Sequence, residues 1–438
     1  MSLTELYTKH FKRLVDYYTD YLTKNNKTAA WLHYGDHSIY FDDDQEIAFR
    51  ANPYAVHLIN EPNAVGSYIR IAKDGEVTLY NFIDNGFWNV PTTIDFSFFA
   101  NTGLIQVVDF YDFEQDLEAK VKSEASSSVV IGPNTQKYLQ LGFNAQDINE
   151  EELVLDLQDL RLCKTEYEYE MLCQAQYLAI KAHRAIKAAV TSTNLSENQL
   201  LGVYLQNAEM PYDAQGYSSI LAFNENAAIL HYNKLDFVAP KERRSFLIDA
   251  GAVYKGYQAD ISRTYSLDDN QLFSDLILGV VNIKDEIIAN IRPGISTASL
   301  QEVMLNKTTE LLLDAEIIKG VSIEQAFELK IPQHFVPHGF GHSLGINTHD
   351  VRGRVKTPQV PGLRATHTLT VGNVWTVEPG LYFIDQLLNK LSEDSATSSF
   401  LNNELIASLK PYGGIRVEDN VMLQEEQLVN FTGDLDNM

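Results

Sequence analysis

The stretch SFLIDAGAVYKGYQADISRTYS, residues 245–266, carries two β-type runs, 245–250 and 256–265, joined through Val253-Tyr254-Lys255-Gly256. The expected element is an antiparallel hairpin. A turn centred between Tyr254 and Lys255 sets Asp249 directly opposite Asp260. Directly opposed residues share a face, with Cβ atoms roughly 4.5–5.5 Å apart. That spacing suits two carboxylates sharing a pair of metal ions about 3.5–4 Å apart. Tyr-Lys is a poor type I′ pair, and a bulge at Gly256 is the alternative that shifts this register. The aspartates keep company with Phe246, Leu247, Ile248 and Ile261. An ionised carboxylate in such surroundings needs a cation, so a pair of merely exposed aspartates fits badly.

Three further side chains extend the argument. Pro337-His338-Gly339-Phe340-Gly341-His342-Ser343-Leu344-Gly345 holds too many glycines for a regular helix. Glycine permits close backbone approach, which suits a loop that places the imidazole of His342 in a tight site; His349 follows seven residues on. Glu378 ends an expected strand, 374–378, halted by Pro379-Gly380, with Val374 and Thr376 on the same face. Glu418 lies in a last expected strand, 414–423, sharing a face with Arg416 and Asn420. Each glutamate alone fits a solvent-facing strand residue equally well. Together, four carboxylates (Asp249, Asp260, Glu378, Glu418) and one imidazole can neutralise two divalent cations, and two cations can activate water.

The rest of the chain sets bounds. Its 438 residues, 45% apolar, exceed one ordinary domain and can bury a substantial core. A net charge of −25, from 34 basic and 59 acidic residues, is spread along the sequence and repels phosphate backbones and anionic membranes. No nucleic-acid or membrane partner is expected. Cys163 and Cys173 are the two cysteines, which fits a reducing compartment. Charged residues interrupt the first 24 positions, so neither a signal peptide nor a span is expected there, and no later apolar run approaches ~18 residues. The expectation is a soluble, cytoplasmic protein.

Ser2 and Glu5 form a capping-box pattern that opens an amphipathic helix. β-type runs at 29–33, 76–83, 104–110 and 128–131 alternate with helical segments, so residues 1–160 form a small α/β domain. A second capping box, Thr165 with Glu168, starts a helix reaching about residue 189. From there helices (197–208, 275–290, 297–313) alternate with strands without βαβ units. Residues 161–438 are therefore expected to be α+β around an antiparallel sheet.

At these residues the sequence resembles the bacterial Xaa-Pro dipeptidases (prolidases) of the pita-bread metallopeptidase superfamily. The stretches that carry the resemblance are AFNENAAILHYNKL, SFLIDAGAVYKGYQADISRTYS, PHGFGHSLGINTHDVRGR, WTVEPGLYF and GGIRVEDNV, in that order along the second domain. The first domain resembles the family's N-terminal domain by size and pattern. The resemblance implies a C-terminal pita-bread fold in which Asp249, Asp260 and Glu418 hold one metal ion, and Asp260, His342, Glu378 and Glu418 the other. It implies manganese; the ligands alone leave zinc and cobalt open. It further implies hydrolysis of the bond before proline in a dipeptide, with Glu378 shuttling a proton and His231 and His349 donating hydrogen bonds to the tetrahedral intermediate. Arg364, in LRATHTLT, would take the substrate's terminal carboxylate, a pairing suited to a guanidinium fork. Tyr217 and His338 are expected in the pocket or packed beside it. A homodimer is implied as well, with Asp42 and Asp43 in the neighbourhood from which a partner contact would come, and a side activity on organophosphate triesters.

Two alternatives stay beside this. Aminopeptidase P shares the fold and all five ligands, but usually carries a bulky aromatic after the metal-binding histidine, where this chain has Ser343. A non-catalytic pita-bread binding module would have lost ligands, and here every ligand position is filled by the expected residue type.

Overall fold

The computed structural model describes residues 1–87, 94–354, 362–364 and 366–435. The chain divides into two units, Met1–Met171 and Leu172–Met438. In the first, the helix Leu3–Lys24 opens with Ser2 and Glu5 in a reciprocal capping box, satisfying two backbone N–H groups that the helix itself cannot. Its buried face includes Tyr7, Phe11, Leu14, Tyr18 and Leu22, together with His10. A five-stranded sheet follows, made of β1 (Ala29–His33), β2 (Tyr68–Ala72), β3 (Val77–Phe82), β4 (Gln106–Phe110) and β5 (Val129–Ile131). Its order is β4-β3-β2-β1-β5. The pairs β1/β2 and β2/β3 are antiparallel, while β1/β5 and β3/β4 are parallel. The sequence reading omits β2. This strand is buried on both faces, so it lacks the clean polar alternation that marks a half-exposed strand.

The helix Glu166–Ser192 begins in the first unit and continues into the second from Leu172. Ala175, Ala179, Ala182 and Ile186 are fully buried against Phe246, Ile248 and Ala250, the small alanines letting the helix approach the sheet closely. The helices Glu197–Asn207 and Thr297–Asp314 lie within a residue of the expected spans, whereas Gln271–Asn290 begins four residues before the expected 275, capped by the Asn270 side chain accepting from the Phe273 N–H. The strands are β6 (Ile220–Phe223), β7 (Ser245–Asp249), β8 (Val253–Tyr254), β9 (Tyr257–Gln258), β10 (Ser262–Ser266), β11 (Val374–Val377), β12 (Gly380–Tyr382), β13 (Gly414–Arg416), β14 (Asp419–Leu423) and β15 (Leu428–Asn430). They form small sheets, β10-β7-β6, β11-β14-β15, β12-β13 and β8-β9. Every described pair among them is antiparallel.

Two expectations are corrected here. Asp249 pairs with Ser262, not with Asp260. The turn centres on Lys255-Gly256, both at positive φ (46° and 88°), which is the backbone a type I′ turn requires and which glycine tolerates. Moving the centre by one residue shifts every opposed partner by two. The expected final strand 414–423 is also two strands, interrupted at Val417-Glu418: β13 pairs with β12, and β14 with β11. At the break, the Glu418 backbone N–H donates to the Ser262 carbonyl at 3.0 Å, holding this residue beside β10.

Candidate metal centre

Asp260, His342 and Glu418 each offer a ligand atom, and these atoms all lie within 4.8 Å of one another. All three side chains are buried. His342 Nε2 is 3.4 Å from Asp260 Oδ2 and 3.6 Å from Glu378 Oε1. Its Nδ1 faces the Ser343 carbonyl at 3.1 Å, so the proton sits there and Nε2 points its lone pair at the carboxylates, the tautomer a metal ligand needs. The loop is seated on β11: the Thr376 N–H donates to the His342 carbonyl at 2.9 Å, and the Glu378 N–H to the Phe340 carbonyl at 2.8 Å. A Cβ on Gly341 would stand 1.9 Å from the Thr376 carbonyl oxygen, so only glycine permits this approach.

Asp249 and Asp260, no longer opposed across the ladder, are joined by a side chain instead. The Tyr217 hydroxyl lies 2.8 Å from Asp249 Oδ1 and 2.6 Å from Asp260 Oδ1. Arg416, the last residue of β13, donates from Nη2 to Asp249 Oδ2 at 2.7 Å and from Nε to Ser262 Oγ at 3.1 Å; Ser262 Oγ then donates to Glu418 Oε2 at 2.8 Å. His338 Nδ1 donates to the Gly339 carbonyl at 2.8 Å, and its Nε2 is 2.9 Å from the Tyr382 hydroxyl, which also accepts from Arg416 Nη1 at 2.9 Å. His338 is thus tied to the wall of the site, with burial holding its pKa down to about 4.

Sequence reasoning misses a supporting layer. Arg263 donates to the Glu418 carbonyl at 2.7 Å and to Asp419 Oδ1 at 2.8 Å, and Lys284 donates to Asp419 Oδ2 at 2.8 Å. Asp419 is fully buried, and its two cationic partners hold its carboxyl below the usual carboxylate range despite that burial. Arg263 and Lys284 each stand more than a hundred positions before Asp419 and share no local pattern with it. The available signal is a charge, at Arg263 and Asp419, in segments whose residues are otherwise uncharged.

The electrostatics fit a cation pair. Burial first, then mutual repulsion with Asp249 and Asp260, pushes Glu378 up to about 7. Burial and the neighbouring Asp260, Glu378 and Asp249 raise Glu418 well above the carboxylate range, and burial raises Asp260 in the same direction. Burial alone would depress His342, but Asp260 and Glu378 outweigh it and raise its pKa. Four carboxylates with Arg416 and one imidazole for cover hold more negative charge than the site can solvate. Two dications match that deficit, and the oxygen-rich donor set suits hard or borderline ions.

Beside the carboxylates, a cavity of about 140 Å³ is lined by residues that include His342, His349, Arg352, Arg364 and Trp375. The His349 ring sits 4.3 Å from that of His342, edge to face, and burial holds its pKa down to about 3. Arg364 is exposed at this cavity. His231 is also exposed, and no contact brings it against the ligands; its charge bears on His338 and His349.

Comparison with known proteins adds three findings. Residues 170–425 match the model of metallopeptidase family M24, and residues 5–158 match the Xaa-Pro dipeptidase N-terminal domain. The chain is 34% identical over 440 residues to an Xaa-Pro dipeptidase of Actinobacillus pleuropneumoniae, covering 98% of this chain and 97% of that one. It is 33% identical over 443 residues to an Xaa-Pro dipeptidase of Escherichia coli, covering 99% of each. Among solved structures, Escherichia coli aminopeptidase P in complex with substrate superposes with a TM-score of 0.73 at 20% identity, over 98% of this chain and 95% of that one. That likeness speaks to fold.

Proposed function

Since the chain belongs to metallopeptidase family M24, we propose that it is an Xaa-Pro dipeptidase working with two divalent cations, manganese in the cell. The observation that carries this reading is the convergence of Asp260, His342 and Glu418, flanked by Glu378 and by the Tyr217-bridged Asp249. Asp249, Asp260 and Glu418 would hold one cation, and Asp260, His342, Glu378 and Glu418 the other. When bound, the cations supply Lewis-acid activation of water and of the scissile carbonyl. Glu378, whose Oε1 lies 3.6 Å from His342, accepts the proton released by the attacking water and delivers it to the departing proline nitrogen. His349, beside His342, and His231 donate hydrogen bonds to the oxygen that becomes negative. Arg364, on the wall of the adjoining cavity, pairs with the free carboxylate of the dipeptide. A longer peptide has no carboxylate at that position, so dipeptides are preferred. Tyr217 holds Asp249 and Asp260 in place, and His338 lines the pocket. Residues 161–438 form the catalytic domain in this reading.

The test is to strip the protein with chelator, restore manganese, and compare an Xaa-Pro dipeptide with an Xaa-Pro tripeptide. Manganese-dependent cleavage of the dipeptide, with the tripeptide cleaved far more slowly, is the expected result. Preference for the tripeptide would replace the assignment by aminopeptidase P, and cleavage of neither would remove the enzyme. An organophosphate triester with a phenolic leaving group is expected to be hydrolysed slowly by the same preparation; absence of phenol release from active enzyme removes that side activity.

The protein is assigned to the cytoplasm, supported by a content of two cysteines in 438 residues, too few for a disulfide framework. No described helix is long and apolar enough to cross a membrane. A homodimer is supported by the segment around the Ile39–Glu46 bridge, where Tyr40 (55% exposed) and Phe41 (100% exposed) precede Asp42 and Asp43. Large apolar side chains displayed together mark association surfaces. Light scattering on the eluted protein should give twice the chain mass, and Phe41→Ser should shift it toward monomer at micromolar concentration. A wild-type protein that runs as monomer throughout would contradict this.

A further inference from the structure

We infer that the first unit carries a structural zinc site formed by His10, His57 and Glu168. The three residues come from different helices: Leu3–Lys24, Pro53–Leu58 and the first turn of Glu166–Ser192. Their exposures are 1%, 4% and 1%, and one ligand atom of each lies within 4.8 Å of the other two. His57 Nε2 is 3.3 Å from Glu168 Oε1, and His10 Nδ1 is 3.7 Å from Glu168 Oε2. Tetrahedral ligands at zinc bond lengths of ~2.0–2.2 Å stand roughly 3.3–3.6 Å apart. The His57 separation falls within that range and the His10 separation lies 3.7 Å away, just beyond it, each measured to a different oxygen of the Glu168 carboxylate.

Two details favour a cation over a closed hydrogen-bond network. His10 Nε2 lies 2.7 Å from the His57 carbonyl oxygen, which can only accept, so that nitrogen carries the proton. The lone pair of Nδ1 faces the cluster, with the Thr165 hydroxyl 2.9 Å away, while the bonded Nε2–H fixes the ring orientation as in ligating imidazoles. His57 Nε2 is buried and makes no hydrogen bond, although Glu168 Oε1 is near enough for one. A nitrogen and an oxygen 3.3 Å apart but misaligned for a hydrogen bond are placed as two ligands of one ion are placed. The Thr165 hydroxyl, 2.9 Å from His10 Nδ1 and 3.2 Å from Glu168 Oε2, lines the fourth side.

Two imidazoles and one carboxylate suit zinc better than manganese or calcium, which favour oxygen-rich sites. The charge of Lys164 also acts on Glu168, and its ammonium donates to the Arg161 carbonyl at 2.6 Å. This neighbouring cation opposes a dication, so the zinc is held through desalting but yields to a strong chelator. Zinc here would clamp the first two helices of the unit to the start of Glu166–Ser192, a structural role separate from catalysis.

The test uses the full-length protein, first loaded with manganese, then incubated with a modest excess of zinc and desalted. Elemental analysis should find one zinc equivalent per chain more in wild type than in His57→Ala, with Xaa-Pro dipeptidase activity retained in the variant. Zinc should raise the melting temperature of wild type and leave that of His57→Ala unmoved. Should His57→Ala fail to fold, cobalt added to the manganese-loaded wild type should give visible bands of tetrahedral nitrogen and oxygen ligation. Equal zinc content in the two proteins, or a wild type without the zinc-induced shift and without those bands, overturns the site and leaves a hydrogen-bonded core cluster. Loss of peptidase activity with the extra zinc still bound would count against the dipeptidase reading alone.

Discussion

Glu378→Gln is expected to lower kcat for Xaa-Pro dipeptides by roughly 10²–10⁴-fold, the usual worth of a positioned proton-transfer group, while KM changes by only a few-fold. Glutamine keeps an oxygen where Oε1 faces His342 at 3.6 Å, so the shape of the site survives. It cannot accept or return a proton, and that is the function asked of Glu378. The measurement is steady-state kinetics on manganese-loaded wild type and variant, with the metal content of both determined on the same samples. If the variant keeps its metal and loses activity, proton transfer is the missing step. Retention of more than a tenth of wild-type kcat would show that the proton travels by another route.

Metal-free protein is expected to lose stability as pH rises from about 4.5 to about 7, and metal-loaded protein is expected to keep it. The sign follows from the raised carboxyls. Glu378 is pushed from the ordinary glutamate value of 4.5 up to about 7 because burial and neighbouring carboxylates disfavour its ionised form. Below the unfolded value both states hold the proton and nothing is lost. Between the two values the unfolded chain releases the proton while the folded one must retain it, so unfolding gains. For Glu378 alone the difference amounts to roughly 3 kcal/mol, with Glu418 and Asp260 adding in the same direction. A shift of this size corresponds to a fall of roughly 5–10 °C in melting temperature for a unit of this length. Bound dications remove the penalty by favouring the ionised carboxylates. Thermal unfolding followed by circular dichroism between pH 5 and 8, with and without manganese, reads the difference directly. Parallel curves for the two forms would mean that the carboxylates are not crowded in solution.

Asp249, Asp260 and His342 were legible in the sequence because each violates a local expectation, whereas Glu378 and Glu418, each ordinary in a strand, stood out only beside them. Asp249 and Asp260 are charges within apolar runs, and His342 stands in a glycine-rich stretch where a Cβ on Gly341 would collide with β11. The pairing of distant segments was less legible. A one-residue error in the centre of the turn put Asp260 opposite Asp249, where the ladder places Ser262. The interruption at Val417-Glu418 was hidden because a strand that changes partners keeps the same alternation along its length. Arg263, Lys284 and Asp419 escaped for a different reason: a buried ion network joins residues by space, and nothing within a helical turn or a strand repeat announces it. His10 and His57 escaped likewise, since a single histidine on an apolar helix face carries no pattern of its own.

The central claim is that Asp249, Asp260, His342, Glu378 and Glu418 grip two cations on which dipeptide hydrolysis depends. Its most direct measurement is titration of chelator-stripped protein with manganese, following bound manganese and Xaa-Pro dipeptide cleavage in the same samples. The account predicts activity that climbs to its maximum as two equivalents per chain are bound, and His342→Ala that binds fewer and stays inactive. Full activity in stripped protein, or saturation of wild-type activity with no manganese bound at these ligands, would contradict it.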